Sequence, residues 1–190
     1  MSHPVCGNNR KNHINATIIR TRPPAVNLSI MNTPDINTLF SQANRFLQAG
    51  QIPQAIKICK KILAVSPGHP DGYNLMGILF SERKDYRQAL HYFRLALKAV
   101  PEEPLFLLNT AKAHKNLRQF NDAIDSFRKI ITINPNLHFS YAGLGSVYLE
   151  QGNYEDAIKY FQTAIRLAPD NSDHHYNLSL AFQKNNNHDM

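Results

Sequence analysis

The feature that most constrains this chain is an internal period. PDGYNLMGILFSERKDYRQALHYFRLALKAVPEE (70–103) and HFSYAGLGSVYLEQGNYEDAIKYFQTAIRLAPDN (138–171) align without a gap. Residues 104–137 fit between them, and INTLFSQANRFLQAGQIPQAIKICKKILAVSPGH (36–69) fits before them. Every step is 34 residues long. Within each unit two apolar stripes of helical spacing are separated by a short turn. A unit of this kind buries its apolar face only by stacking on neighbours, which dictates an elongated array of helix pairs.

Positions within the unit carry the constraint. Position 8 is Ala43, Gly77, Ala111 and Gly145; position 11 is Phe46, Phe80, His114 and Tyr148. Position 20 is Ala55, Ala89, Ala123 and Ala157; position 24 is Cys59, Phe93, Phe127 and Phe161. Position 27 is Ile62, Ala96, Ile130 and Ala164, and position 32 is proline at 67, 101, 135 and 169. Small residues at 8 and 20 let paired helices approach, and the ring at 24 fills the space between them. Proline at 32 stops the second helix. Position 15, the turn, holds Gly50 and Gly152 but also Lys84 and Arg118, which tolerate a left-handed backbone less readily.

This pattern resembles the tetratricopeptide repeat family. Departures are Cys59 for the aromatic, Gln42 and Thr110 at position 7, and His114 for tyrosine. The resemblance implies an all-α fold, a right-handed superhelical α-solenoid. Its four repeats span 36–69, 70–103, 104–137 and 138–171, with a partial fifth or capping helix at 172–185.

The ends of the array are readable from the faces that neighbours would cover. In the family, positions 3, 7 and 10 lean on the preceding unit. These are Gly72, Met76 and Leu79 in repeat two and Ser140, Leu144 and Val147 in repeat four, but Thr38, Gln42 and Arg45 in repeat one. A polar face there is expected of a first unit. The folded domain is therefore expected over 33–190, with Thr33 capping the first helix, Pro34 at its first position and Asp35 in its first turn. Residues 1–32 read as a disordered basic leader: residues 1–30 carry Arg10, Lys11, Arg20 and Arg22 and no acid. They are an inert or misassigned extension, a targeting segment, or a binding arm. At the other end, His174, Leu178 and Ala181 face back toward Ile158 and Ile165, while His175, Ser179 and Phe182 face forward. Asn186 occupies the turn position, so the chain stops inside a unit, which favours a truncated larger array over a natural cap.

Composition narrows the chemistry. The chain has 190 residues, 43% hydrophobic and 18% charged, and no apolar run of membrane-spanning length. Two cysteines, Cys6 and Cys59, make no disulfide framework and no zinc spacing, which suits a reducing, cytoplasmic setting. His174 and His175 diverge on a helix and are not expected to share a metal. Phosphate-loop, nucleophile-elbow and metalloprotease motifs are absent, so neither catalysis nor a cofactor is expected. The net charge is +7. The second helices carry bases such as Lys57, Lys60, Lys61, Arg94 and Lys98; from the second repeat on, acids at the helix starts, Asp85, Asp122, Glu155 and Asp156, precede the bases, which complements the helix dipole and disfavours nucleic acid as the partner.

The resemblance implies a concave groove lined by positions 2, 5, 6, 9, 12 and 13 of the first helices. Candidate contacts there are Asn44, Asn74, Ile78, Leu108, Asn109, Lys112, Asn116, Phe139 and Asn177. Asparagine amides both donate to and accept from a peptide backbone. Apolar Phe40, Ile78, Leu108 and Phe139 could seat side chains or pack within the array. Asn109, Lys112 and Asn116 share one helical face. The carboxylate clamp of the family's chaperone-binding members has no counterpart in any register, so a chaperone C-terminal tail is disfavoured. The expected function is a non-catalytic scaffold that holds a protein or peptide segment. The alternative is the N-terminal recognition part of a larger glycosyl-, sulfo- or methyltransferase.

Overall fold

A computed structural model describes residues 35–188, with side chains described through Asn186. These residues lie in the compact unit Pro34–Met190. They form nine α-helices: α1 (Ile36–Gln48), α2 (Ile52–Val65), α3 (Pro70–Glu82), α4 (Tyr86–Ala99), α5 (Pro104–Asn116), α6 (Phe120–Ile133), α7 (His138–Gln151), α8 (Tyr154–Leu167) and α9 (Ser172–His188). Four helix pairs and a last helix thus follow the sequence period, an all-α solenoid with no strand among the described residues.

Helix ends have local causes. In each repeat the position-16 amide returns to the position-11 carbonyl: Gln51 to Phe46, Asp85 to Phe80, Gln119 to His114 and Asn153 to Tyr148, at 2.8–2.9 Å. That six-to-one closure requires a left-handed residue between them. Gly50 and Gly152 supply it at φ 69° and 79°, and Lys84 and Arg118 adopt it at 60° and 59°. Asp85 and Asn153 then cap α4 and α8 by accepting from the amides of Gln88 and Asp156. The second helices end two residues before proline. Ser66, Val100, Asn134 and Ala168 are extended, with ψ between 78° and 100°, as a following proline demands.

At the front of the domain the cap is Asp35, whose carboxylate accepts from the Asn37 amide, and α1 begins at Ile36. The expected cap, Thr33, lies outside the described residues together with the rest of the leader. At the far end a turn at Asn186 is not formed. α9 runs on to His188.

Packing follows the repeat register. Gly77 faces the Phe93 ring, and a Cβ there would lie 2.3 Å from Cε1; Gly145 stands in the same relation to Phe161. Cys59, small where the other repeats have phenylalanine, turns its thiol to the Gly72 carbonyl at 3.2 Å. Between units, Met76, Leu79, Leu144 and Val147 are buried as positions that lean backward, and Leu144 and Val147 join Phe127 and Ile130 in one core. Ala181 and Leu178 close on Ala157, Phe161 and Ile158, whereas Phe182 is 43% exposed. The front of repeat one is less polar than Thr38, Gln42 and Arg45 suggest. Gln42 and Arg45 border an open concavity floored by Phe46, Ala49 and Ile58.

Candidate peptide-binding wall

Each second helix packs on the next first helix, and the first helices also meet one another, α3 with α5, α5 with α7 and α7 with α9. A wall of first helices from α3 through α5 and α7 to α9 results. Proline at the first position of α3 and α5 sets their starting direction.

On this wall Asn109 of α5 donates its amide Nδ2 to Asn74 Oδ1 of α3 at 2.9 Å. Asn74, expected as a contact residue, is instead fully buried, and its Nδ2 has no partner among the described residues. It acts from behind the wall, fixing the orientation of the half-buried Asn109. The side-chain oxygen of Asn109, Oδ1, is left without a hydrogen-bond partner among the described residues and is available to accept.

One turn on, Lys112 is exposed. Desolvation of its ammonium lowers its pKa, and the Lys115 charge lowers it further. Among the described residues no carboxylate lies within ion-pair distance of Lys112. Lys115 differs: it donates to Ser146 Oγ at 2.8 Å and pairs with Glu150 at 2.9 Å, joining α5 to α7. Asn116 is exposed and donates to the Lys112 carbonyl at 2.8 Å. The three polar candidates on α5 are thus brought together.

The apolar candidates are divided between wall and core. Ile78 is half-buried against Leu90 and Phe93; Leu108 and Phe139 are half-buried against the core around Phe127. Phe40, for which seating a partner side chain and packing within the array were both open, is only 4% exposed and packs beside the His69 ring at 5.2 Å. Asn177 on α9, the last helix of the wall, and Asn44 on α1 are half-buried.

Beside the Asn74–Asn109 and Lys115–Ser146 contacts, sequence reasoning missed two further links between repeats. One is the Lys115–Glu150 bridge. The other is a contact between His138 Nδ1 and His174 Nε2 at 2.8 Å. Both join residues about one repeat apart, a spacing that a search for neighbours within a helix does not sample. Among the described residues no cluster of three or more metal-ligating side chains occurs, and no helix is long and apolar enough to cross a membrane.

Comparison with known proteins agrees with this geometry. Family models described as tetratricopeptide repeats match residues 74–138 and 126–159, and one described as TPR repeat matches 145–186. The small glutamine-rich tetratricopeptide repeat-containing protein 2 of Saccharomyces cerevisiae is 28% identical over 89 residues, 47% of this chain and 26% of that protein. Anaphase-promoting complex subunit 6 of Arabidopsis thaliana is 32% identical over 113 residues, 56% of this chain and 21% of that one. Protein O-mannosyl-transferase TMTC1 of Mus musculus is 28% identical over 125 residues, 64% of this chain and 13% of that one. The chain thus spans about a quarter or less of these relatives' length. Among solved structures, MamA from Desulfovibrio magneticus superposes with a TM-score of 0.70 at 21% identity, over 83% of this chain and 90% of that one. With the period, the helix pairs and the matched models in agreement, the chain belongs to the tetratricopeptide repeat family.

Proposed function

We propose that this chain is a non-catalytic protein-interaction module that holds an extended peptide segment against the wall of first helices. The observation that carries this reading is the pairing of a pre-oriented amide with an unpaired cation on α5. Asn109 is locked by buried Asn74, and Lys112 sits one turn away with no counter-charge among the described residues. A fixed carbonyl oxygen accepts a backbone N–H at little further entropic cost, and the lysine receives a carbonyl or carboxylate of the same segment. Ile78, Leu108 and Phe139 flank these groups with half-buried apolar surface that a side chain would cover further. The scaffold relatives, a tetratricopeptide repeat-containing protein and a subunit of a complex, are consistent with such a role.

The test is selection of peptides from a random display library on the immobilised full chain, followed by fluorescence polarisation. Single-site affinities near micromolar, about −8 kcal/mol, are expected. Lys112→Ala should weaken the selected peptides about tenfold, and Lys61→Ala on a second helix should leave them unchanged. Peptides whose affinity is insensitive to both Lys112→Ala and Asn109→Ala would place the binding surface elsewhere.

A second reading rests on the match to an O-mannosyl-transferase, which aligns with 64% of this chain. In it the repeats are the recognition part of a larger transferase. Sequencing the transcript through and beyond codon 190 tests it, because a catalytic segment must then follow in frame.

A further inference from the structure

His138 opens α7 and His174 lies in the first turn of α9, and their facing nitrogens are 2.8 Å apart, a hydrogen bond between two imidazoles. Only one of the two nitrogens carries the proton. His174 is 5% exposed, and its other nitrogen, Nδ1, is sealed from water with no partner among the described residues. That decides the tautomer. Were His138 the donor, the His174 proton would sit on Nδ1, a buried N–H with nothing to accept it. With His174 donating from Nε2, Nδ1 is left as a bare lone pair, the less costly of the two defects.

We propose that this neutral imidazole pair is an acid-sensitive latch that fastens α9 to repeat four and opens when the pair gains a proton. No protonated arrangement of the docked pair is satisfied. A proton added to His174 goes to Nδ1, where burial strands a charged N–H. A proton added to His138 goes to Nδ1 and meets the His174 Nε2–H head on, unless His174 shifts its own proton to the stranded site. Undocking α9 exposes both rings to water and removes the conflict.

The surrounding charges give no relief. From α7 the group acting on His174 is His138 itself, which disfavours a second positive charge; from α9, His175 does the same and Asp173 opposes it. Burial is the largest influence and favours the neutral ring. None of α8's titratable groups is among those acting on His174; Arg166 turns to Thr163, and Lys159 to Asp156. The sign follows. The His174 pKa is lower docked than undocked, so the undocked form binds more protons, and docking weakens as pH falls below the ordinary imidazole value near 6.5. The undocked population rises up to about tenfold per pH unit until pH reaches the docked pKa.

The test uses the full chain, with no substitution needed. Long-range proton–nitrogen NMR at pH 7.5 should show His174 protonated at Nε2 with Nδ1 bare. On titration to pH 5, amide-exchange protection across 172–186, corrected for intrinsic rates, should fall as His174 titrates below pH 6.5, while 70–137 keeps its protection. His174→Phe should make α9 protection independent of pH over this range. An Nδ1–H tautomer, a His174 midpoint at or above 6.5, or α9 protection unchanged to pH 5 would overturn the latch. So would a pH dependence that survives in a folded His174→Phe.

Discussion

The Phe127 ring lies against the backbone of Gly143 in the next repeat, so closely that a Cβ at that position would fall 2.2 Å from Cε1. Phe127 is 1% exposed and belongs to the core shared by α5, α6 and α7. One ring therefore serves two interfaces, the pairing within its own repeat and the stacking on the next. Phe127→Ala should cost about 3–5 kcal/mol in urea denaturation, since truncation leaves a cavity at both. Gly143→Ala should also destabilise, by about 1–2 kcal/mol, although alanine is the better helix former, because the ring has to move.

Asn109→Ala removes the only partner of the buried Asn74 carbonyl oxygen among the described residues, leaving a second unsatisfied atom beside its Nδ2. The expected loss is about 1–3 kcal/mol in chemical denaturation. Asn74→Leu combined with Asn109→Leu should cost less than the single alanine change, because neither polar group remains to be desolvated. A larger loss in the double variant would mean that the amide pair does more than satisfy itself.

Lys84→Gly should stabilise the protein by about 0.5–1 kcal/mol, seen as a higher Tm in calorimetry. Lys84 sits at φ 60°, where its Cβ crowds the carbonyl and glycine has no such strain. The same change at Arg118, φ 59°, should gain less, because it also removes the guanidinium from over the Phe120 ring, 5.4 Å away.

Cys59 should resist alkylation in the native state. Burial pushes its thiol up to about 12, so at pH 8 the reactive thiolate is about one part in ten thousand. Peptide-resolved mass spectrometry after iodoacetamide at pH 8 should find Cys59 unmodified in buffer and fully modified in urea. Raising the pH favours labelling only as it approaches that value or unfolds the array.

Much of the architecture was legible because it is written in short-range chemistry. The 34-residue spacing of alanine and phenylalanine placed the helix pairs. Prolines 67, 101, 135 and 169 placed the ends of the second helices, and position 15 marked the left-handed turn even where it is lysine or arginine. Each of these acts on the backbone within a few residues. The misreading of Asn74 as a contact residue has a different cause. It lies at a position assigned to the wall by helical phase alone, and phase does not say how deeply a neighbouring helix covers it.

By itself, then, the amino-acid order determined the repeat, its register and the turns within the four full repeats. Tertiary structure alone decided which side chains on the wall are spent on each other. The Asn74–Asn109, Lys115–Ser146 and His138–His174 contacts join residues 35, 31 and 36 apart. Such pairs are brought together by the stacking of one repeat on the next. That stacking depends on how rings such as Phe127 seat against the following unit, a packing outcome to which the periodicity within a single repeat is blind.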